Sequence, residues 1–245
     1  MKILWEVIAI EKVLEFLYKE YLLHVDMIEC IKNNEYKIIE YIEGGVLISD
    51  KEEALIMLTA FNMETAKALI DKIPKGVEML VIHQYFYCNY LKERFNVYDE
   101  MSCYQSVYTK NKPFNIEESS INVKILNEEY VESIFNNYSS KNTVDIKYIK
   151  ERINTNTMLG AFINEKLVGF IGTHEEGSMG ILEVLPQYRK NGIGALLQKH
   201  ATNLALQQSR IPYGQVKVNN EKSIKLQKKL GFELSSEMVY WLMIK

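Results

Sequence analysis

The chain has 245 residues, 47% apolar and 25% charged, with a net charge of −3, the composition of a globular protein able to bury a core as one large domain or two small ones. So small a negative charge supplies no basic field and argues against nucleic acid as a partner, and no apolar run is long enough to cross a bilayer. Cys30, Cys88 and Cys103 are odd in number without C-x-x-C pairing and the histidines are scattered, so neither a disulfide framework nor a metal site is expected, and a reducing cytoplasm is the expected setting.

In chain order, the apolar stretch Met1 to Ile10 is broken by Glu6 and followed by Glu11 and Lys12, a pattern expected of neither a signal peptide nor an anchor. Apolar residues recur at helical intervals from Val7 to Cys30, which predicts one or two amphipathic helices. Tyr36 to Glu43, Gly44-Gly45 and Val46 to Ser49 predict a β-hairpin, with the glycines supplying positive φ. Leu55 to Ala60 is a further strand, Met63 to Ile73 a helix stopped by Pro74-Lys75-Gly76, and Glu78 to His83 another strand. The aromatic run Tyr85 to Leu91 has only Lys92 and Arg94 as basic neighbours, so core or domain interface is expected over base stacking. Met101 to Thr109 is another candidate strand.

Lys110 to Ser120 turns polar, with Pro113 and Glu117-Glu118-Ser119-Ser120, and is the expected linker between a domain at 1–115 and one at 120–245. Beyond it come a strand at Ile121 to Leu126, a helix capped by Asn127, a second helix from about Asp145 to Asn154, and a hairpin from Met158 to Thr173 turning at Asn164-Glu165-Lys166. Gly214 to Val218 is a strand, Glu221 to Leu230 a helix and Glu237 to Ile244 the closing strand. The expected class is α/β with a mixed, largely antiparallel sheet.

The stretch Gly180 to Ala195, GILEVLPQYRKNGIGA, organises this second half. Ile181 to Leu185 reads as a buried strand, Pro186 stops it, and helical spacing begins at Ile193. A strand followed by a glycine turn and a helix sets unpaired N–H groups and the positive end of a helix dipole at one point. Gly192 and Gly194 let a ligand approach those amides, and Arg189 and Lys190 add charge, so the turn suits a pyrophosphate. The bland alternative is a plain strand-to-helix connection.

Val184-x-Pro186-x-Tyr188-Arg189-x-x-Gly192-x-Gly194, followed by Asn220-x-x-Ser223-x-x-Leu226-Gln227-x-Lys229-Leu230-Gly231-Phe232, resembles the two signature motifs of the GCN5-related N-acetyltransferases (GNAT). The resemblance covers roughly Ile121 to Lys245 and implies a GNAT fold there. The N-terminal half would then be a smaller α/β domain, or a degenerate copy of the same fold as in the glycine N-acyltransferase group, whose Leu-Pro-x-Tyr-Arg turn is similar to Leu185 to Arg189.

The resemblance further implies acetyl-CoA as acyl donor. Backbone groups of Val184 and Leu185 would pair with the pantetheine amides, and one of them would supply the oxyanion donor. The N–H groups of Arg189, Lys190, Asn191, Gly192, Ile193, Gly194 and Ala195 would hold the pyrophosphate. Asn220 would face the cofactor, and Lys222, Lys225 and Lys228 are either contacts for the 3′-phosphate or a solvated helix face. Acyl transfer to an amine needs a base, an oxyanion donor and a proton for the thiolate. The family's acidic tyrosine is here Gln227, which leaves Tyr213 and Tyr240 as candidate donors, an unassisted thiolate, or no turnover. Glu183 is the leading base candidate, since an acid buried in an apolar strand has a raised pKa; Glu175, Glu176 and His174 are the others. The expected activity is cytoplasmic N-acyl transfer to a small molecule or amino acid, without nucleic acid, membrane or metal, with the N-terminal domain closing one side of the acceptor pocket. The alternatives are a non-catalytic acyl-CoA sensor and a protein N-acetyltransferase docking its target on Tyr85 to Tyr90.

Overall fold

The computed structural model describes residues 2–140 and 144–245; Met1, at the head of the apolar stretch considered above, lies outside them. By contact density the chain divides into one unit of residues 1–106, 216–224 and 234–245, and another of 107–215 and 225–233. The class is mixed α/β with mostly antiparallel pairing.

The first unit begins with helices α1 (Lys2–Tyr18) and α2 (Val25–Lys32). Strands β1 (Lys37–Ile42), β2 (Gly45–Ser49) and β3 (Leu55–Ala60) follow, then α3 (Met63–Ile70), β4 (Met79–Ile82), α4 (Cys88–Arg94) and β5 (Val97–Val107). β1 and β2 form the expected hairpin, with Gly44 at φ +86° in its turn. β3 and β4 run parallel across α3. The long apolar runs of β2 and β3 are buried throughout, as period-free Val, Ile and Leu segments are when both faces are covered. Of the aromatic run, Tyr87 and Cys88 are in the core while Tyr85 and Phe86 are about half exposed, at 46% and 47%. The expectation of burial therefore holds for only part of it: a 3-10 turn at Tyr85–Tyr87 sends successive side chains to different sides.

The second unit carries β6 (Asn122–Ile125), α5 (Val131–Asn137), α6 (Ile146–Asn154), β7 (Leu159–Ile163), β8 (Lys166–Thr173), β9 (Met179–Val184), α7 (Ile193–Gln207), β10 (Tyr213–Lys217) and α8 (Glu221–Lys229), the last two running across the unit boundary. The closing strand β11 (Glu233–Ile244) is opposite β4. One sheet has the order β1-β2-β3-β4-β11-β5-β10 and the other β6-β7-β8-β9. In the expected linker, the backbone N–H and C=O of Phe114 both bond the Asn203 side chain, at 2.7 and 2.9 Å, so α7 anchors its middle.

Helix, helix, three strands, helix, strand, helix, strand is the order of α1 to β5, and the same order recurs from α5 to β11. In both passes a strand, a helix and a strand occupy the same place: β3-α3-β4 and then β9-α7-β10.

Candidate acyl-donor site

β9 is the edge of the four-stranded sheet. Its register against β8 runs Gly169 to Val184 and Phe170 to Glu183, then slips by one so that Gly172 faces Gly180. Ile171 therefore opposes both Ile181 and Leu182, a β-bulge, and Ile181 takes φ +51° to make it. A β-branched residue at positive φ is strained, and buried Ile181 is held there by the cluster of Phe162, Phe170 and Met158 beneath α5 and α6. Bulges of this kind re-aim a strand beside a site.

Beyond the bulge the N–H of Leu185 donates to Val168 O at 2.9 Å. Antiparallel pairing alternates direction along a strand, so the N–H and C=O of Val184 face the open edge. The Val184 carbonyl receives Arg189 Nε at 2.8 Å, which leaves its N–H as the edge group directed outward. The pairing expected of both Val184 and Leu185 thus narrows to Val184, because Leu185 spends its amide on β8.

The turn that follows begins with a 3-10 segment at Pro186–Tyr188 and passes through Lys190 at φ +67° and Gly192 at φ +78° into α7. Gly192 is required by that φ; a Cβ there would meet nothing within 4 Å. Gly194 is different: its Cβ would lie 3.8 Å from Val184 and 4.0 Å from Leu226, ordinary contact, so the fold itself has room for a side chain. α7 has no side-chain cap, and the N–H groups of Ile193, Gly194 and Ala195 donate to no acceptor among the described residues. Three such amides at the positive end of a 15-residue helix form an anion site. Lys190 and Asn191 are exposed beside it. The corresponding helix of the first pass, α3, is capped: Asn62 Oδ1 accepts from Thr65 N at 2.8 Å. At the end of β3, Gln84 Oε1 takes the N–H of Ala60 at 2.9 Å.

Glu183 is 8% exposed, as expected for a buried acid, and both its oxygens are engaged. Arg189 Nη2 lies 3.0 Å from Oε1, and Ser139 N–H donates to Oε2 at 3.1 Å. With both oxygens so engaged, the carboxylate ties the turn to β9 and to Ser139. Tyr213 is fully buried and its OH donates to the Glu176 carbonyl at 2.6 Å, a tie between β10 and the turn before β9. Tyr240 belongs to the first unit, opposite Ile82 and 4.6 Å ring to ring from Tyr85; burial and the charge of Glu237 raise its pKa. Asn220 caps α8 through Ser223 N at 3.1 Å, and Lys222, Lys225 and Lys228 are exposed along that helix. Gln227 is buried, its amide donating to Gln198 Oε1 at 3.3 Å, while Gln198 Nε2 reaches Met179 Sδ at 3.6 Å.

A bulged edge strand with an outward amide, leading through a glycine turn to an uncapped helix, agrees with the sequence of this region in comparison with known proteins. Residues 123–232 match the acetyltransferase (GNAT) family. This GNAT segment includes the bulge, the turn, α7 and Gln227. Solved structures are similar over nearly the whole chain. A Drosophila protein shares 15% identity at a TM-score of 0.72, with 97% of this chain and 96% of that one covered. A GCN5-related N-acetyltransferase-like protein from Streptococcus suis shares 14% at 0.55, covering 97% and 99%. A tandem GNAT protein from the clavulanic acid biosynthesis pathway shares 12% at 0.50, covering 90% and 87%. No curated protein matches. The C-terminal half has the GNAT fold.

Sequence reasoning missed Ser139 and the pairing of His174 with Tyr148, whose OH and Nδ1 lie 2.8 Å apart. Ser139 acts through its backbone, which no residue pattern signals. Tyr148 and His174 are far apart in sequence and meet only because α6 packs on β8.

Proposed function

We propose that this protein is an acetyl-CoA-dependent N-acyltransferase acting on the amine of a small molecule or amino acid. The supporting observation is the pairing of an open strand edge at Val184 with the unpaired amides of Ile193, Gly194 and Ala195. The first accepts an amide-bearing arm as an added strand, and the second accepts its diphosphate. Residues 120–245 are the proposed acetyltransferase domain. The repeated element order supports reading residues 1–115 as a degenerate copy, like the tandem arrangement named for the clavulanic acid pathway protein; its helix terminus, closed by Asn62, would hold no second cofactor. Cys30, Cys88 and Cys103 are buried and not disulfide-bonded, which suits a reducing cytoplasm.

Transfer would draw most of its rate from alignment of the two substrates. Glu183 keeps the turn closed through Arg189, and the thiolate leaves without a tyrosine at position 227. The test is thiol release from acetyl-CoA with a panel of primary amines and amino acids. Release with one class identifies the acceptor. Gln227, its amide spent on Gln198, favours a second reading, an acyl-CoA-binding module; saturable cofactor binding without release for any amine would establish that instead.

A further inference from the structure

We propose that His174, fixed by Tyr148, is the proton acceptor for the incoming amine. This inference rests on the acyltransferase reading above. His174 directly follows β8, and the turn into β9 is closed by two backbone bonds, His174 N to Ser178 O at 2.8 Å and Gly177 N to His174 O at 3.0 Å. These bonds fold the ring back over β9. It lies against the Cα of Gly180, where a Cβ would overlap Nε2, so residue 180 must be glycine for the imidazole to sit there. Gly180 immediately precedes the bulge at Ile181. A diphosphate at Ile193 to Ala195, with its arm paired along Val184, sends the thioester back along β9 toward this point.

One ring nitrogen is held and the other makes no hydrogen bond. Nδ1 is 2.8 Å from the Tyr148 oxygen, whereas Nε2 bonds nothing among the described residues. If Nδ1–H donates to the Tyr148 oxygen, Nε2 presents a lone pair, the tautomer a base needs. The groups facing the ring are Tyr148 and Arg152 from α6 and Glu175 and Glu176 from the turn. Burial lowers the pKa of His174, opposed by Glu176 and aided by Arg152; burial raises that of Tyr148, which stays a neutral phenol. The imidazole is thus neutral at neutral pH, the form that can accept a proton.

The step balances. The ammonium of the acceptor gives one proton to Nε2, and the freed amine nitrogen forms the C–N bond at the thioester carbonyl. The C–S bond breaks with its electron pair to sulfur, the second amine proton passes to the thiolate through solvent, and the imidazolium returns its proton to water. The products are amide and CoA thiol.

The experiment compares wild type, His174→Gln and Tyr148→Phe in acetyl-CoA binding, in kcat against pH, and in histidine NMR titrations with and without amine. His174→Gln should bind acetyl-CoA as wild type does, lose about 10²-fold in kcat and lose the acidic limb of the pH profile. Tyr148→Phe should retain part of kcat and move that limb. Unchanged kcat and pH profile in His174→Gln overturn the proposal while leaving the acyltransferase reading intact. If wild type releases no thiol with any amine, that reading fails, and the NMR decides this one. An amine-dependent shift of the His174 resonances supports an acceptor contact, and none overturns it.

Discussion

Arg189 reaches back across the glycine turn to Glu183, with Nη2 3.0 Å from Oε1 and Nε 2.8 Å from the Val184 carbonyl. One guanidinium thereby ties the turn to the strand it leaves. Arg189 is about half exposed and Glu183 buried, so the pair is worth more than a surface bridge and less than a fully buried one. Glu183→Gln keeps the shape and removes the charge; we expect a loss of about 1 kcal/mol, roughly 3 °C in Tm, and about tenfold weaker acetyl-CoA binding as the turn loosens. Calorimetry with a thermal melt checks both. Intact affinity with a collapsed kcat would instead return Glu183 to the role of base.

Gly194 separates ligand from fold. Its Cβ would find ordinary contacts at 3.8 and 4.0 Å, so Gly194→Val should melt close to wild type yet bind acetyl-CoA at least tenfold more weakly, its branched side chain standing over the helix amides. Gly192→Val adds about 1–2 kcal/mol of strain from its positive φ, so there weaker binding should come with a lower Tm. If Gly194→Val bound normally, the anion would not sit at this turn.

Gln227 occupies the position of the family's acidic tyrosine but is bonded to Gln198. Gln227→Leu strands the Gln198 carbonyl oxygen in the core and should cost about 1–3 kcal/mol, while kcat per folded molecule stays within a few-fold. A large kcat loss without destabilisation would mean that the amide acts in the reaction.

The first unit holds a buried charge pair, Asp26 with His83 at 2.9 Å, beside His24. Burial opposes charge on His83, but the Asp26 carboxylate and the Leu58 carbonyl outweigh it and raise its pKa; Asp26 is lowered, since His83 outweighs burial there too. The pair's contribution through His83 is full below the ordinary histidine pKa and fades as pH rises through the raised one. Through Asp26 it is full above the ordinary carboxylate range and lost as pH falls through the lowered value. His24 is pushed down to about 3 by burial and by His83, so only the unfolded chain takes up its proton between that value and about 6.5, and stability falls as pH drops through this window. Between pH 7 and 5, wild type should lose about 2 kcal/mol more than His24→Gln in denaturant melts. Asp26→Asn, which leaves His83 buried without its carboxylate, should cost about 3–5 kcal/mol.

The local elements were legible because their signals are local. β9 and α7 fall at Met179–Val184 and Ile193–Gln207, where apolar runs, Pro186 and the glycines placed them, and Asn127 and Asp145 cap as their residue types suggest. What escaped the sequence depends on partners distant in the chain. The bulge at Ile181 exists only in the register with β8, and the uses of Glu183 and Tyr213 are set by Ser139, Arg189 and the Glu176 carbonyl. The composition change at Lys110 to Ser120 gives no sign that β11 lies beside β4, because a strand's own residues do not name its neighbour. The repeated element order is likewise invisible in residue identities and plain in topology.

The central claim, that the β9 edge and the amides of α7 hold acetyl-CoA, is tested most directly by isothermal titration of the full chain with acetyl-CoA, with desulfo-CoA and ATP as controls. The account predicts saturable binding of the two CoA ligands at one per chain, little binding of ATP, and marked weakening in Gly194→Val. Absence of CoA binding to folded wild-type protein, or equal binding by Gly194→Val, would contradict it.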